Sequence, residues 1–156
     1  MSRTLEQRFW AKVDKSGECW IWTASVRGPG YGQCSIGKGK QGYAHRFSYE
    51  LTYGPIPDGL VIDHACHRKL CVRPTHLRAI TQKQNMENQG RLYSNNKSGV
   101  RGVWWVARLK KWRGSVRHHG EIAFAEWFTT LEEAESAVLA KRNELFTHND
   151  LDRRAA

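Results

Sequence analysis

The chain has 156 residues, with 25 lysines and arginines against 15 acidic residues and a formal net charge of +10. This length accommodates one compact domain or two small ones, and the charge favours a polyanionic partner, most commonly nucleic acid. No segment approaches the roughly 20 apolar residues that cross a bilayer, and the N-terminal sequence MSRTLEQRFW lacks the apolar run of a secretory signal. We therefore expect a cytoplasmic protein with no membrane partner.

Short helices and strands alternate through the first half of the chain. Thr4 opens a capping box, which predicts a first helix, and residues 19–22 have the composition of a strand. The glycine-rich stretch 27–42 predicts turns and a hairpin, because no helix-opening Lys-Ser/Thr pair follows it. Residues 44–53 predict a second helix, which ends at Gly54.

A polar loop follows, bounded by two short strands. Residues 60–62 form an apolar run that leads into the loop, and residues 77–80 can form the returning strand. A second capping box at Thr81 then begins a helix that carries Asn85.

This loop contains three side chains of the kinds that bind zinc. Cys66, Cys71 and His76 are separated by four intervening residues each time, and thiolate and imidazole are ligands that Zn²⁺ prefers. The loop has few apolar groups to bury, so zinc would supply folding energy and need not take part in chemistry. The competing interpretation makes them ordinary buried thiols and a surface histidine.

Zinc in such a site needs a fourth ligand. Cys19 is the preferred candidate because its strand can lie against the loop, and Cys34 and His67 are the alternatives. Four cysteines could also form disulfides, but in a reducing cytoplasm clustered cysteines are read first as metal ligands.

A second group of reactive side chains flanks the zinc loop. His64 can remove a proton from water near neutral pH, because the unperturbed pKa of histidine is about 6.5. Asp63 and Asn85 offer hard oxygens, which suit Mg²⁺, and this ion would stabilise the charge that develops on a phosphodiester during hydrolysis. Alternatively, His64 is itself the fourth zinc ligand and Asp63 a turn residue, since His64 and Cys66 share a parity on a strand.

The second half of the chain has a different pattern. Residues 91–98 are polar without an apolar period and predict a linker. Three segments with a period of two follow, at 100–106, 111–117 and 122–128, and a capping box at Thr130 begins a helix. Three strands backed by one helix form a minimal two-layer unit.

The second of these three segments predicts a strand with one basic face. Residues 97–120 hold seven lysines or arginines and no acidic residue. Trp112 shares its parity with Val116, so we assign it to the core. A basic strand face is expected to meet phosphates and base edges, although a merely solvated face is the competing interpretation.

A series of short motifs also runs through residues 17–88. These motifs are Cys19-Trp20, Gly30-Tyr31-Gly32, Ala44-His45-Arg46, Gly54-Pro55-Ile56-Pro57, Asp63-His64, Cys66, Cys71, Pro74, His76-Leu77, Thr81 and Asn85. Together they resemble the HNH/His-Cys-box homing endonucleases, which are common in phages. The resemblance implies a ββα-metal finger that holds one Mg²⁺.

The resemblance also implies a role for each matching position. His64 would be the general base, with Asn85 and Asp63 as ligands of Mg²⁺. His45 or Arg46 would contact the scissile phosphate. The implied zinc ligands are Cys19, Cys66, Cys71 and His76.

The chain departs from this family at two positions. Arg73 stands where many members have asparagine before the proline. Cys34 has no counterpart in the family pattern, which keeps it open as a zinc ligand.

A second resemblance covers about residues 97–146. Residues 98–103, 112–117, 128–130 and 132–134 resemble the plant ethylene-response-factor type of DNA-binding domain, which inserts a three-stranded sheet into the major groove. With Arg46 from the first half, the predicted DNA contacts are Arg101, Trp104, Arg108, Lys110, Arg113, Ser115 and Arg117.

The sequence therefore predicts an α+β protein of two modules. A zinc-braced ββα-metal nuclease domain would cover residues 1–90, a linker 91–98, and a three-stranded antiparallel sheet packed on one helix 99–150. The expected function is sequence-specific, Mg-dependent cleavage of double-stranded DNA to 5′-phosphate and 3′-hydroxyl ends, as a monomer or a homodimer. A catalytically silent, zinc-containing DNA-binding regulator is the alternative, followed by an RNA-directed nuclease.

Overall fold

A computed structural model describes residues 3–90 and 92–155. The chain divides into two compact units, Met1–Gln82 and Lys83–Ala156. The fold is mixed α+β with several small antiparallel sheets, which confirms the predicted class. Among the described residues, no helix is long and apolar enough to cross a membrane.

The N-terminal unit is built from two helices and seven short strands within the part of it that the structure describes. These elements are α1 (Leu5–Trp10), β1 (Val13–Asp14), β2 (Ile21–Trp22), β3 (Val26–Arg27), β4 (Tyr31–Gly37), β5 (Lys40–Tyr43), α2 (Ala44–Tyr53), β6 (Leu60–His64) and β7 (Leu77–Thr81). The strands form three antiparallel groups, β1–β2, β3–β4–β5 and β6–β7.

The core of this unit is aromatic. Phe9 from α1 stacks on Trp22 of β2 at a centroid distance of 5.1 Å, and it contacts Phe47 of α2 edge-on at 5.1 Å. Helix α1 begins with the predicted capping box, in which Thr4 and Gln7 bond each other's backbone. The large rings give a small unit enough apolar contact to fix α1 and α2 on the strands.

Strands β6 and β7 form the two-stranded ribbon that carries the polar loop. Asp63 pairs with Arg78, and His64 pairs with Leu77 at the end of the ribbon. Because successive side chains alternate in direction, Asp63 and His64 point to opposite faces. The loop between the strands returns through a single 3-10 turn at Pro74–His76.

The C-terminal unit contains a three-stranded sheet and two helices after it. Its elements are α3 (Gln82–Glu87), which begins at the boundary, β8 (Val103–Val106), β9 (Lys111–His118), β10 (Glu121–Phe128), α4 (Leu131–Leu145) and α5 (Asp150–Ala155). The strand order is β8–β9–β10, and both pairings are antiparallel.

Helix α4 packs against one face of this sheet. Thr130 and Glu133 form the predicted capping box at its start. The helix approaches the sheet closely at Gly114, where a Cβ atom would lie only 2.9 Å from Val138 of α4. Glycine at this position therefore lets the helix contact the sheet backbone.

The unit boundary lies before the predicted linker at 91–98. Residues Glu87 and Asn88 accept hydrogen bonds from Thr147 and Asp150, which places the end of α3 in the C-terminal unit. Arg91 lies outside the described residues, and residues 92–98 belong to the same unit. The contact between Thr147 and Glu87 joins residues 60 positions apart in the chain, so local composition does not indicate it.

Candidate metal centre and active site

Four side chains of the N-terminal unit converge on one point. The ligand atoms of Cys19, Cys66, Cys71 and His76 all lie within 4.8 Å of one another. Nδ1 of His76 lies 3.6 Å from the Sγ atoms of both Cys19 and Cys71. The arrangement is therefore a cluster of three thiols around one imidazole nitrogen.

These distances fit a tetrahedral zinc ion. Zn–S bonds of about 2.3 Å and Zn–N bonds of about 2.0–2.1 Å at the tetrahedral angle place sulfur and nitrogen about 3.6 Å apart. The observed Sγ–Nδ1 separations are 3.6 Å. Both the donor atoms and their spacing thus suit a metal such as zinc.

Backbone pairing brings Cys19 to the loop. The amide of Trp22 donates to the carbonyl of Leu70 at 2.8 Å, and the amide of Val72 donates to the carbonyl of Trp20 at 2.7 Å. This short antiparallel contact sets Cys19, the preferred fourth ligand, beside the loop thiols.

The two alternative ligands lie elsewhere. Cys34 is buried in the aromatic core of the N-terminal unit, where burial raises the pKa of its thiol to about 11. His67 is outside the cluster, in the left-handed region at φ 58°. Cys34 and His67 are therefore not ligand candidates in this structure.

The thiols in the cluster influence one another's protonation. A hydrogen bond from Cys71 lowers the pKa of Cys66, and the same bond raises that of Cys71. Burial raises the pKa of Cys19. Binding of a dication favours the deprotonated thiols, so a metal ion would displace their protons.

His64 lies next to this cluster but is not one of its four converging side chains. Its Nε2 atom is 3.0 Å from the carbonyl oxygen of Cys71. A carbonyl can only accept, so Nε2 carries the proton and Nδ1 is the basic nitrogen. Burial lowers the pKa of His64, which keeps the ring neutral. His64 is not among the four converging side chains, which argues against it as a zinc ligand.

A second histidine and a tyrosine lie beside the His64 ring, and a further tyrosine contacts that histidine. His45 lies 4.8 Å from His64 between ring centroids, and Tyr31 lies 6.1 Å away. Tyr43 contacts His45 at 5.7 Å. Burial, with the nearby His64 and Arg46, lowers the pKa of His45 to about 3, and its buried Nδ1 has no hydrogen-bond partner among the described residues.

The two predicted Mg²⁺ ligands lie on different elements. Asp63 is buried on β6, where Nε and Nη2 of Arg78 each lie 2.9 Å from its Oδ2 atom. Asn85 is half-buried on α3, in the C-terminal unit. Its side-chain amide makes no hydrogen bond to any residue that the structure describes.

The outer face of the C-terminal sheet, opposite α4, carries a row of three side chains. Trp104 pairs with Arg113, which pairs in turn with Trp127, so all three point to the same side. The Arg113 guanidinium lies 4.5 Å over the Trp127 ring, and the two tryptophans are 48% and 44% exposed. Ser115 and Arg117 continue this face along β9.

Trp127 was not among the predicted contacts. It alternates with Phe124 and Phe128, which pack on the core, and the register is regular from Phe124 to Phe128, so the alternation of the third segment already indicates its face. Trp112 packs against the core on the opposite face, as predicted.

The remaining basic residues with predicted DNA contacts fall into two groups. Arg46, Arg108 and Lys110 are exposed, and Lys110 ends a 3-10 turn in the left-handed region at φ 49°. Arg101 points inward instead, and its guanidinium donates to three backbone carbonyls. This use of its donors speaks against Arg101 as a DNA contact.

Residues 42–87 match the HNH endonuclease family model. The chain is 41% identical over 71 residues to Protein 7.7 of Escherichia phage T7, which covers 46% of this chain and 54% of that protein. Protein 3.8 of the same phage is 34% identical over 73 residues, covering 47% and 60%. An uncharacterized gene 5.3 protein of Enterobacteria phage T3 is 37% identical over 62 residues, covering 36% and 61%.

This chain thus spans about half to three fifths of the length of the curated relatives it matches. No solved structure matches it. The comparisons support the HNH resemblance over residues 42–87, which include His64 and Asn85. They give no support to the resemblance of the C-terminal half to the plant domain.

Proposed function

We propose that this protein is a metal-dependent DNA endonuclease of the HNH type. The observation that carries the proposal is the orientation of His64 within the HNH-matched residues. The Cys71 carbonyl fixes the proton on Nε2, which leaves Nδ1 as a base. A base of this kind can activate water for attack on a phosphodiester.

In the proposed reaction, Nδ1 of His64 accepts a proton from water as the oxygen forms a bond to phosphorus. The bond to the 3′ oxygen breaks and that oxygen takes a proton from solvent, which leaves 5′-phosphate and 3′-hydroxyl ends. The contact with Cys71 ties the base to the metal-binding loop. Zinc at the four-ligand cluster would therefore position His64 without entering the reaction.

A divalent ion, proposed to be Mg²⁺, would stabilise the charge on the phosphate and the departing oxygen. The carboxylate of Asp63 and the amide oxygen of Asn85 are hard donors of the kind that this ion accepts. Arg78 fixes the rotamer of Asp63. Arg46, which is exposed, or His45 is proposed to contact the scissile phosphate.

The outer face of the C-terminal sheet is the proposed surface for double-stranded DNA. Arginine recognises guanine and phosphate through paired donors. The Arg113 guanidinium lies over the Trp127 ring, and Trp104 is its neighbour on the adjacent strand. Arg108, Lys110, Ser115 and Arg117 would add further contacts. Binding through such a surface releases counterions, so the affinity should fall steeply with salt.

The direct test is cleavage of plasmid DNA by zinc-loaded protein with Mg²⁺ and without it. We expect nicking or linearisation only with Mg²⁺. Tight binding of DNA with no cleavage under any divalent ion would replace the enzyme by a zinc-containing DNA-binding regulator. Preferred cleavage of RNA loops would instead make RNA the substrate.

The DNA surface is tested separately by Arg113→Ala. We expect the affinity for DNA to fall by about 1–3 kcal/mol, the usual worth of a paired arginine contact, in a binding titration at fixed salt. Lys141→Ala is the matched control, since it removes the same charge from α4, where Lys141 pairs with Glu144 at 2.9 Å. An equal loss of DNA affinity in both variants would mean that Arg113 contributes only through its charge.

A further inference from the structure

The C-terminal end of α3 is held by a single arginine, Arg101, which lies just before β8 in the same unit. Nη1 of Arg101 donates to the carbonyls of Glu87 at 3.0 Å and Gln89 at 2.7 Å, and Nη2 donates to the carbonyl of Met86 at 3.1 Å. The last carbonyls of a helix have no partner within it, and a cation at that end is favourable. Arg101 therefore caps α3 from outside the helix.

Arg101 is itself fixed by a second arginine. Nη1 of Arg142, from α4, donates to the Arg101 carbonyl at 2.7 Å. Arg142 also forms an ion pair with Asp152 of α5 at 2.8 Å, and its side chain is only 8% exposed. The cap on α3 is thus attached to the helices behind the sheet.

Glu87 provides a further attachment. Its Oε2 atom accepts from the amide of Thr147 at 3.1 Å, and Lys83 pairs with its Oε1 atom at 2.8 Å. The Glu87 side chain is 5% exposed, so these partners compensate the burial of its charge. Both its carbonyl and its side chain therefore hold Glu87 in the C-terminal unit.

Helix α3 depends on these contacts because it is short. It has six residues, and a helix of this length is marginal without tertiary support. Asn85 precedes the first capped residue, Met86, directly, so its amide lies within one turn of the capped end.

We propose that Arg101 is a positioning residue, which orients the Asn85 amide for the catalytic ion. The inference rests on the proposed function, in that it takes Asn85 as a ligand of the ion. The proposed role of Arg101 is separate from DNA binding. Loss of the cap should weaken the binding of a divalent ion while the affinity for DNA stays the same.

The test uses the full-length, zinc-loaded protein and Mn²⁺ as the probe ion. Arg101→Ala and Arg101→Lys are compared with the control Lys141→Ala. Calorimetry without DNA gives the Mn²⁺ affinity, a binding titration without added divalent ion gives the DNA affinity, and hydrogen exchange reports on the α3 amides. The Mg²⁺ concentration for half-maximal cleavage is measured in parallel.

We expect Arg101→Ala to weaken Mn²⁺ binding about 10-fold, the usual effect of losing a group that orients a metal ligand. The Mg²⁺ requirement should rise by the same factor, with DNA affinity within twofold of wild type. Arg101→Lys should be intermediate, because it keeps the charge and loses the paired geometry. If Arg101→Ala does not fold, the inference is tested with Arg101→Lys by the same measurements.

Three results would overturn the inference. Unchanged Mn²⁺ affinity with faster exchange in α3 would make Arg101 a helix cap and nothing more. A loss of DNA affinity alone would restore it as a DNA contact. If Asn85→Ala binds Mn²⁺ as well as wild type does, Asn85 is not a ligand and the inference loses its basis. If Mn²⁺ binds through Asn85 but the protein does not cleave DNA, only the proposed enzyme activity is lost.

Discussion

The two compact units are stabilised by different means. In the N-terminal unit, the polar loop between β6 and β7 is organised by three thiols and one imidazole that converge on one point. In the C-terminal unit, an apolar core joins the sheet to α4, and capping and arginine contacts fix the helix ends. The comparison suggests that the loop depends on a metal ion, whereas the C-terminal unit depends on packing.

The difference is sharpest for cysteine substitutions. Cys71→Ala should abolish stoichiometric zinc binding and unfold the N-terminal loop, because zinc ligation in such sites contributes about 10–16 kcal/mol to folding. Cys34→Ala is the matched control, since Cys34 is 5% exposed and Cys71 0%, but only Cys71 lies in the cluster. Zinc content by mass spectrometry and circular dichroism measure the outcome. Equal zinc content in both variants would contradict the metal site.

Packing in the C-terminal unit is tested at Gly114. Gly114→Ala would place a methyl group 2.9 Å from Val138 and 3.0 Å from Phe128. Overpacking of this kind costs about 1–3 kcal/mol, so denaturant unfolding of this unit should shift while zinc content is unchanged. Ser136→Ala, at an exposed position of α4, should change stability little. A loss of zinc in Gly114→Ala would mean that the two units do not respond independently.

A smaller effect is expected at the start of α4. Thr130→Ala removes the side chain that accepts from the Glu133 amide, and loss of such a cap costs about 1 kcal/mol. Thr129→Ala is the control, because only the backbone amide of Thr129 takes part in the cap. Identical thermal midpoints for the two variants would show that the cap does not contribute.

Local features of the structure could be predicted from the sequence. The capping boxes at Thr4 and Thr130, the helix that ends at Gly54, and the loop ligands Cys66, Cys71 and His76 all depend on residues close together in the chain. Regular spacing is enough in these cases, because each element is decided within a few residues.

Features that depend on distant pairing were harder to predict. The choice of Cys19 over Cys34 rests on a backbone contact between residues 20–22 and 70–72, which spacing can suggest but not decide. The inward turn of Arg101 depends on carbonyls 12 to 15 positions earlier in the chain. A basic residue on a predicted strand offers no sign that its donors will be used internally.

The central claim, that His64 is the base of a nuclease, is tested most directly by His64→Ala against His67→Asn. Asparagine tolerates the left-handed backbone at position 67, so the control removes a neighbouring imidazole without strain. Cleavage of plasmid DNA with Mg²⁺, zinc content and DNA affinity are measured for both. We predict that His64→Ala retains zinc and DNA binding but cleaves about 10²–10⁴-fold more slowly, while His67→Asn cleaves at the wild-type rate. Undiminished cleavage by zinc-loaded His64→Ala would contradict the account.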